Sequence, residues 1–188
     1  RSAVELAHTL FELGRIGAAD SLARAALPVL EDSLGEVHPW VARAEQVIGW
    51  IEKNFGDPVR RGAAIPHYAR ALRIRVLTSG PASLEVADSE QDLANLLRLS
   101  GRPRDAGALL SSALEIRRLR LGPRDESVAS TLTALAILRI AGGDWAGAAP
   151  LLREANAIRR EGDAAQAPFN LSSSLNLYGA ALTRAGHP

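Results

Sequence analysis

The sequence predicts an all-α fold, a solenoid of antiparallel helix pairs, and three observations predict it. Five glycines, Gly14, Gly56, Gly101, Gly143 and Gly186, recur at gaps of 42, 45, 42 and 43 residues. A fixed period of this size marks one supersecondary unit stacked on itself. Each glycine keeps the same company. Seven residues before it stands a small residue (Ala7, Gly49, Ala94, Ala136, Gly179), preceded by a large apolar one (Leu6, Ile48, Leu93, Leu135, Tyr178). Finally, no stretch alternates apolar and polar residues between hairpin turns, so strand signals are absent.

Taken in order, the elements follow from this pattern. The glycine ends the first helix of each pair, where a residue tolerant of positive φ is unstrained. In the first pair, Ala19 and Ala26 follow Gly14 by five and twelve residues and mark the second helix. In the second pair the same alanines appear as Ala64 and Ala71, three residues late, which places an insertion in Pro58–Gly62. In the third, Leu93, Leu96 and Leu97, then Leu109, Leu110, Ala113 and Leu114, recur at three- and four-residue steps, the helical period. In the fourth, Gly142-Gly143 is the turn, and Ala148 and Ala155 follow it. The expected pairs are 1–34, 39–79, 82–121 and 125–161, with a lone helix at 168–185. Small residues at fixed offsets let helices approach closely, and large ones fill the gaps between crossings.

The register of large–small–x–x–large, then Gly, Ala, Ala resembles the tetratricopeptide repeat, and the 42-residue period resembles its kinesin-light-chain-like variety. That variety's connection, Leu-Gly-x-x-His-Pro-x-Val-Ala, appears as Leu34-Gly35-Glu36-Val37-His38-Pro39-Trp40-Val41-Ala42. Weaker copies run from Leu121 to Ala129 and from Ser79 to Ala87. The second-helix ending Arg-Ala-Leu-x-Ile appears as Arg70-Ala71-Leu72-Arg73-Ile74, with Ser112-Ala113-Leu114-Glu115-Ile116 as a variant. The resemblance covers the whole chain and implies a right-handed superhelical solenoid. It divides the chain as a single array, 1–188, with repeats at 1–38, 39–81, 82–124 and 125–167 and a half repeat at 168–188. Trp145 stands where the family places Tyr and is expected in the core; Trp40, after the linker proline, is expected to pack between repeats.

The chain has 188 residues, 22 basic and 21 acidic, for a net charge of +1. This balance argues against a broad electrostatic footprint for nucleic acid. Lys53 is the sole lysine; arginine and alanine in excess point to GC-rich, bacterial coding. With no cysteine there is no disulfide or thiolate chemistry, consistent with a cytoplasmic location. No run of 18 apolar residues suggests a membrane span. The chain starts inside a first helix, stops where a second should begin, lacks Met and shows no polar capping helix. It reads as part of a longer array whose uncapped repeat ends offer a route to self-association.

No catalytic constellation is visible, so the chain reads as a non-enzyme without cofactor or metal. The histidines His8, His38, His67 and His187 are scattered and form no metal-ligand pair. The Gly-rich spots at 60–62 and 141–143 lack the context of a phosphate cradle. Glu115 near Arg118, and Glu154 near Arg159, read as solvated pairs. The run Arg117-Arg118-Leu119-Arg120 reads as a solvated helix end, or alternatively as a patch for an acidic partner.

The resemblance implies that each first helix lines a concave groove. Counted back from the turn glycines, the groove positions are Arg43, Gln46, Trp50, Lys53 and Asn54 in the second repeat, and Asp88, Gln91, Asn95, Arg98 and Leu99 in the third. His8 and Phe11, then Ser130, Thr133, Ile137 and Ile140, and finally Ser173 and Asn176 complete the set. Gln, Asn and Arg on such a face can bind a peptide backbone or a carboxylate. Trp50 is the large aromatic there and the anchor candidate, or else it packs against the preceding helix. The family's Leu-Asn-Asn-Leu reads here as Gln46-Val47, Gln91-Asp92, Thr133-Ala134 and Asn176-Leu177. The lysines of a carboxylate clamp are missing, with Arg43 and Arg98 as weak substitutes. The expected function is a non-catalytic scaffold for a protein or peptide partner, with no nucleic acid or membrane. A regulatory arm of a larger bacterial signalling protein and a self-associating scaffold are the alternatives.

Overall fold

The computed structural model describes residues 2–55, 58–161 and 168–185, with side chains for all of these except 2, 55, 58–61 and 168–173. Among the described residues there are nine helices and no strand. Contacts group them into two compact units, Arg1–Arg102 and Pro103–Pro188. The first unit holds α1 (Ser2–Glu12), α2 (Ile16–Leu34), α3 (Pro39–Phe55), α4 (Pro58–Ser79) and α5 (Leu84–Leu99). The second holds α6 (Pro103–Leu121), α7 (Glu126–Ala141), α8 (Trp145–Glu161) and α9 (Pro168–Arg184). In each unit every helix packs on the next in sequence, and α1 also touches α3.

Local chemistry explains the boundaries. Pro39, Pro58, Pro103 and Pro168 open α3, α4, α6 and α9, where the missing N–H costs nothing and φ is already helical. Ser83 and Asp125 cap α5 and α7 by accepting from the backbone N–H of Val86 and Ser127. His38 of the linker motif has a similar role, since its Nδ1 accepts from the Trp40 N–H at 3.1 Å. Two families of glycine stop the helices at positive φ. Gly14, Gly101 and Gly143 (φ 74–79°) turn the chain within a pair, while Gly35, Gly80 and Gly122 (φ 85–89°) end the second helices. The period glycines Gly56 and Gly186 lie outside the described residues.

The three-residue insertion does not bulge into a loop. Helix α4 has 22 residues against 19 in α2 and α6, so the extra residues form most of one added turn. Pro28, Pro66 and Pro150 sit inside α2, α4 and α8 with exposed rings. Each removes one backbone bond, and packing on both sides keeps the helix intact.

The core is built at the small residues. Ala7, Ala94 and Ala136, and the paired set Ala19, Ala64, Ala106 and Ala148, are fully buried. Ile48 and Leu93 fill the positions beside them, whereas Leu6 is 53% exposed. Trp40 is partly buried against the core of the first unit, and Trp145 against that of the second.

One small position is under particular constraint. A Cβ added to Gly49 would stand 2.9 Å from the ring of buried Tyr68, whereas one added to Gly179, in the same register, meets nothing within 4 Å. Gly49→Ala should therefore destabilise by about 1 kcal/mol, overpacking exceeding the gain in helix propensity. Gly179→Ala should stabilise by about 0.5–1 kcal/mol. Urea unfolding of the two variants checks the opposite signs.

Candidate partner-binding face

In the first unit the sequence-derived positions of α3 and α5 meet in one polar network. Gln46, 6% exposed, sits at its centre. Its Oε1 accepts from Arg43 Nη1 at 3.1 Å and from Arg75 Nη2 at 2.7 Å, while its Nε2 donates to Asp92 Oδ2 at 3.1 Å. Arg75 also donates to Ser89 Oγ at 2.5 Å. Gln46 thus stands between a guanidinium and a carboxylate, so neither has the other as a direct partner. Burial pushes the Arg75 guanidinium below its ordinary value, against the pull of Asp92 and with the help of Arg43. Burial likewise pushes the Asp92 carboxyl up, against the Gln46 hydrogen bond, Lys53 and Arg75. Tyr68 beside them is also pushed up, first by burial and then by the charge of Asp92.

Trp50 is partly buried. Its ring lies 4.9 Å from that of His8 and 6.3 Å from that of Phe11 on α1, with the Arg43 guanidinium 5.1 Å over it. Asn54 donates back to the Trp50 carbonyl at 2.8 Å. Asn95 and Arg98 on α5 are half-buried; neither bonds to another described side chain. Asp88 is exposed and Gln91 half-buried, and both are engaged with neighbours. An open cavity of about 380 Å³ lies beside the network, lined by Pro39, Trp40, Arg43, Arg75, Thr78 and Glu85 among others.

In the second unit, Thr133 is turned toward α8, where its Oγ1 accepts from Arg159 Nη1 at 3.0 Å. Ile137 and Ile140 are half-buried on α7, and Asn176 is exposed on α9. The side chain of Ser173 lies outside those described.

Sequence reasoning missed a row of arginines on the second helices. Arg75, Arg117 and Arg159 stand at 42-residue steps, each after an isoleucine, and that spacing was the available signal. Arg117 and Arg159 are 5% exposed. Arg117 donates to Thr131 Oγ1 at 2.5 Å, fourteen residues on, as Arg75 does to Ser89. Arg159 binds Glu126 at 3.0 Å as well as Thr133. Two solvated readings are therefore corrected. Arg117 is not part of a solvated helix end, and Arg159 is not the surface partner of Glu154, which instead pairs with Arg118 at 2.5 Å. The reason is register: these side chains point along the helix pair into the contact with the neighbouring first helix, where burial demands partners.

Arg117→Ala should cost about 2–3 kcal/mol, because it strips charge-assisted bonds from buried acceptors. Arg118→Ala, which breaks an exposed pair, should cost at most about 0.5 kcal/mol. Thermal unfolding of the two neighbours distinguishes a buried cation from a surface one.

Among the described residues no helix is long and apolar enough to cross a membrane. No group of three or more His, Cys, Asp or Glu is placed there to hold a metal ion.

Known proteins agree with this architecture. Tetratricopeptide-repeat profiles match residues 1–39 and 92–161, together more than half of the chain. No curated protein sequence matches it. The solved structure of BtubC (BKLC) from P. vanneervenii is similar over 96% of this chain and 70% of its own, with 25% identity and a TM-score of 0.84. A kinesin-light-chain-type protein of Podosopora anserina with nearly identical TPR-like repeats is similar over 99% of this chain and 86% of its own, at 20% identity and a TM-score of 0.81. The apo form of RapI is similar over 96% of this chain and 66% of its own, at 15% identity and a TM-score of 0.75. The chain belongs to the tetratricopeptide-repeat family, a fold of protein-interaction scaffolds that is generally non-catalytic.

Proposed function

We propose that the face carried by α3 and α5 holds an extended peptide segment of a partner protein. The observation that carries this reading is the network around Gln46. Five polar side chains, Arg43, Gln46, Arg75, Ser89 and Asp92, are held in place by hydrogen bonds before any ligand arrives. Pre-organised polar groups lose little freedom on binding, and such an array suits the alternating donors and acceptors of an extended backbone. Asn95 and Arg98 lie on the same helix as Asp92, at positions three and six residues on. They supply half-buried donors with no described partner. The adjoining cavity with Trp40 on its wall offers a place for one side chain of the segment.

Peptide display against the purified chain tests the proposal. Selected peptides should lose about tenfold in affinity on Gln46→Ala or Asn95→Ala, a step of about 1.4 kcal/mol. They should be unaffected by Arg118→Ala in the second unit. Peptides that bind both groove variants as tightly as the parent would place the binding face elsewhere and refute this reading.

A further inference from the structure

Two open cavities in the second unit stand at equivalent places in the repeat. One, of about 490 Å³, lies between α6 and α7, and the other, of about 380 Å³, between α8 and α9. Gly107 and Ser111 on the wall of the first become Ala149 and Arg153 on the wall of the second, 42 residues on. Leu135 and Arg139 become Tyr178 and Leu182, 43 residues on. Small residues on the second helices keep these cavities open; a Cβ on Gly107 would already stand 3.3 Å from Leu138. The lining lies across α7 from the proposed groove positions. Leu135 and Arg139 each follow one of them, Thr133 or Ile137, by two residues, which is about 200° round a helix.

The first unit closes the same place with its own charges. Arg24 stands ten residues after its turn glycine, as Arg153 does, and Glu52 stands four residues before its own, as Leu182 does. Arg24 Nη2 donates to Glu52 Oε1 across α2 and α3 at 2.7 Å. Between α8 and α9 a leucine replaces that carboxylate. Arg153 is exposed, and its guanidinium has no ion-pair or hydrogen-bond partner among the described residues. Between α6 and α7 the place of Glu52 is taken by Arg139, which pairs with Asp144 at 2.7 Å. Arg104, on the wall of that cavity, is exposed and equally unpaired among the described residues. No described carboxylate lines either cavity.

An apolar socket with a guanidinium at its edge suits an apolar side chain flanked by a carboxylate. Cavities of this size are typical of ligand sites, and a guanidinium meets a carboxylate with two parallel hydrogen bonds. We propose that the α6–α9 face is a second partner site, which binds an acidic protein segment. The segment seats one apolar side chain in each cavity and pairs its carboxylates with Arg104 and Arg153.

The partner thus supplies the acid that the first unit carries on α3 as Glu52. Arg184 adds a further cation at the α8–α9 end, next to the lining residue Ala185, with its guanidinium 5.4 Å over the Trp145 ring. Two sockets in one unit also make the contact bivalent. Once one apolar residue is seated, the other meets its cavity at a high effective concentration. The site shares no residue with the α3–α5 face, and it stands whatever that face binds.

The test uses short synthetic peptides that carry two leucines at varied spacing, each flanked by glutamate, with a matched set in which glutamine replaces glutamate. Both sets are titrated against the whole chain by fluorescence anisotropy. The tightest glutamate peptide should bind about tenfold better than its glutamine counterpart, and added salt should shrink that margin. Serine in place of either leucine should weaken it by a similar factor. Arg104→Glu and Arg153→Glu change exposed side chains; each should cost about tenfold, and the pair should abolish binding. Gln46→Ala and Asn95→Ala should leave it unchanged, so this site and the α3–α5 face stand or fall separately. Equal affinity of the two sets, no binding by either, or binding unmoved by Arg153→Glu overturns the proposal. So does a concentration-dependent mass of the chain that Arg153→Glu abolishes, because a second copy then covers this face.

Discussion

The close approach of neighbouring helices at alanine and glycine is the constraint on which the rest of this structure depends. A stacked-pair protein has no central core, and each helix is held mainly by its neighbours. Ala7, Ala94, Ala136, Ala19, Ala64, Ala106 and Ala148 are all at zero exposure. These positions carry a methyl group where a larger side chain would hold the helices apart. Gly49 marks the tightest point, since even a methyl there would meet the Tyr68 ring. Tyr68 in turn fills the space that Gly49 leaves, and its 2% exposure follows from that fit.

Closeness has an electrostatic consequence. Long polar side chains at these contacts are largely withdrawn from water, so most of them take partners inside. Arg75, Arg117 and Arg159 do so by bridging to serine, threonine, glutamine or glutamate on the neighbouring first helices. The same requirement joins Glu45 to His67 and Arg70. Buried ionic groups of this kind add less net stability than their short distances suggest, but they fix geometry. Gln46 is the clearest instance, because three neighbours determine the orientation of one amide. The α3–α5 face is polar and ordered for that reason, whereas α7 carries the half-buried Ile137 and Ile140 instead.

The helices were legible because their signals are local. Glycine at positive φ, proline at the first helical position and apolar residues at three- and four-residue steps act within a single turn. The observed pairs start and end within two residues of the expected ones. The late alanines Ala64 and Ala71 also reported the insertion correctly, although only the structure showed it as added helix in α4. The candidate face was legible in part. Arg43, Gln46 and Trp50 do share one region of α3, but at the same place the sequence marks Asp92 only as a departure from the family's paired asparagines and does not single out Ser89 or Arg75. The assignment of Arg159 to Glu154, made from proximity along one helix, gave way to Glu126 thirty-three residues away.

The sequence by itself determined the repeat, its length, its helix boundaries and its membership of a helix-pair family, because each is written in spacings along the chain. The tertiary structure alone decided which polar side chains are buried and whom they meet. Partner choice depends on the rotation of each helix about its axis and on the height of its neighbour. These are set by packing between residues tens of positions apart, and a period in the sequence leaves them unspecified.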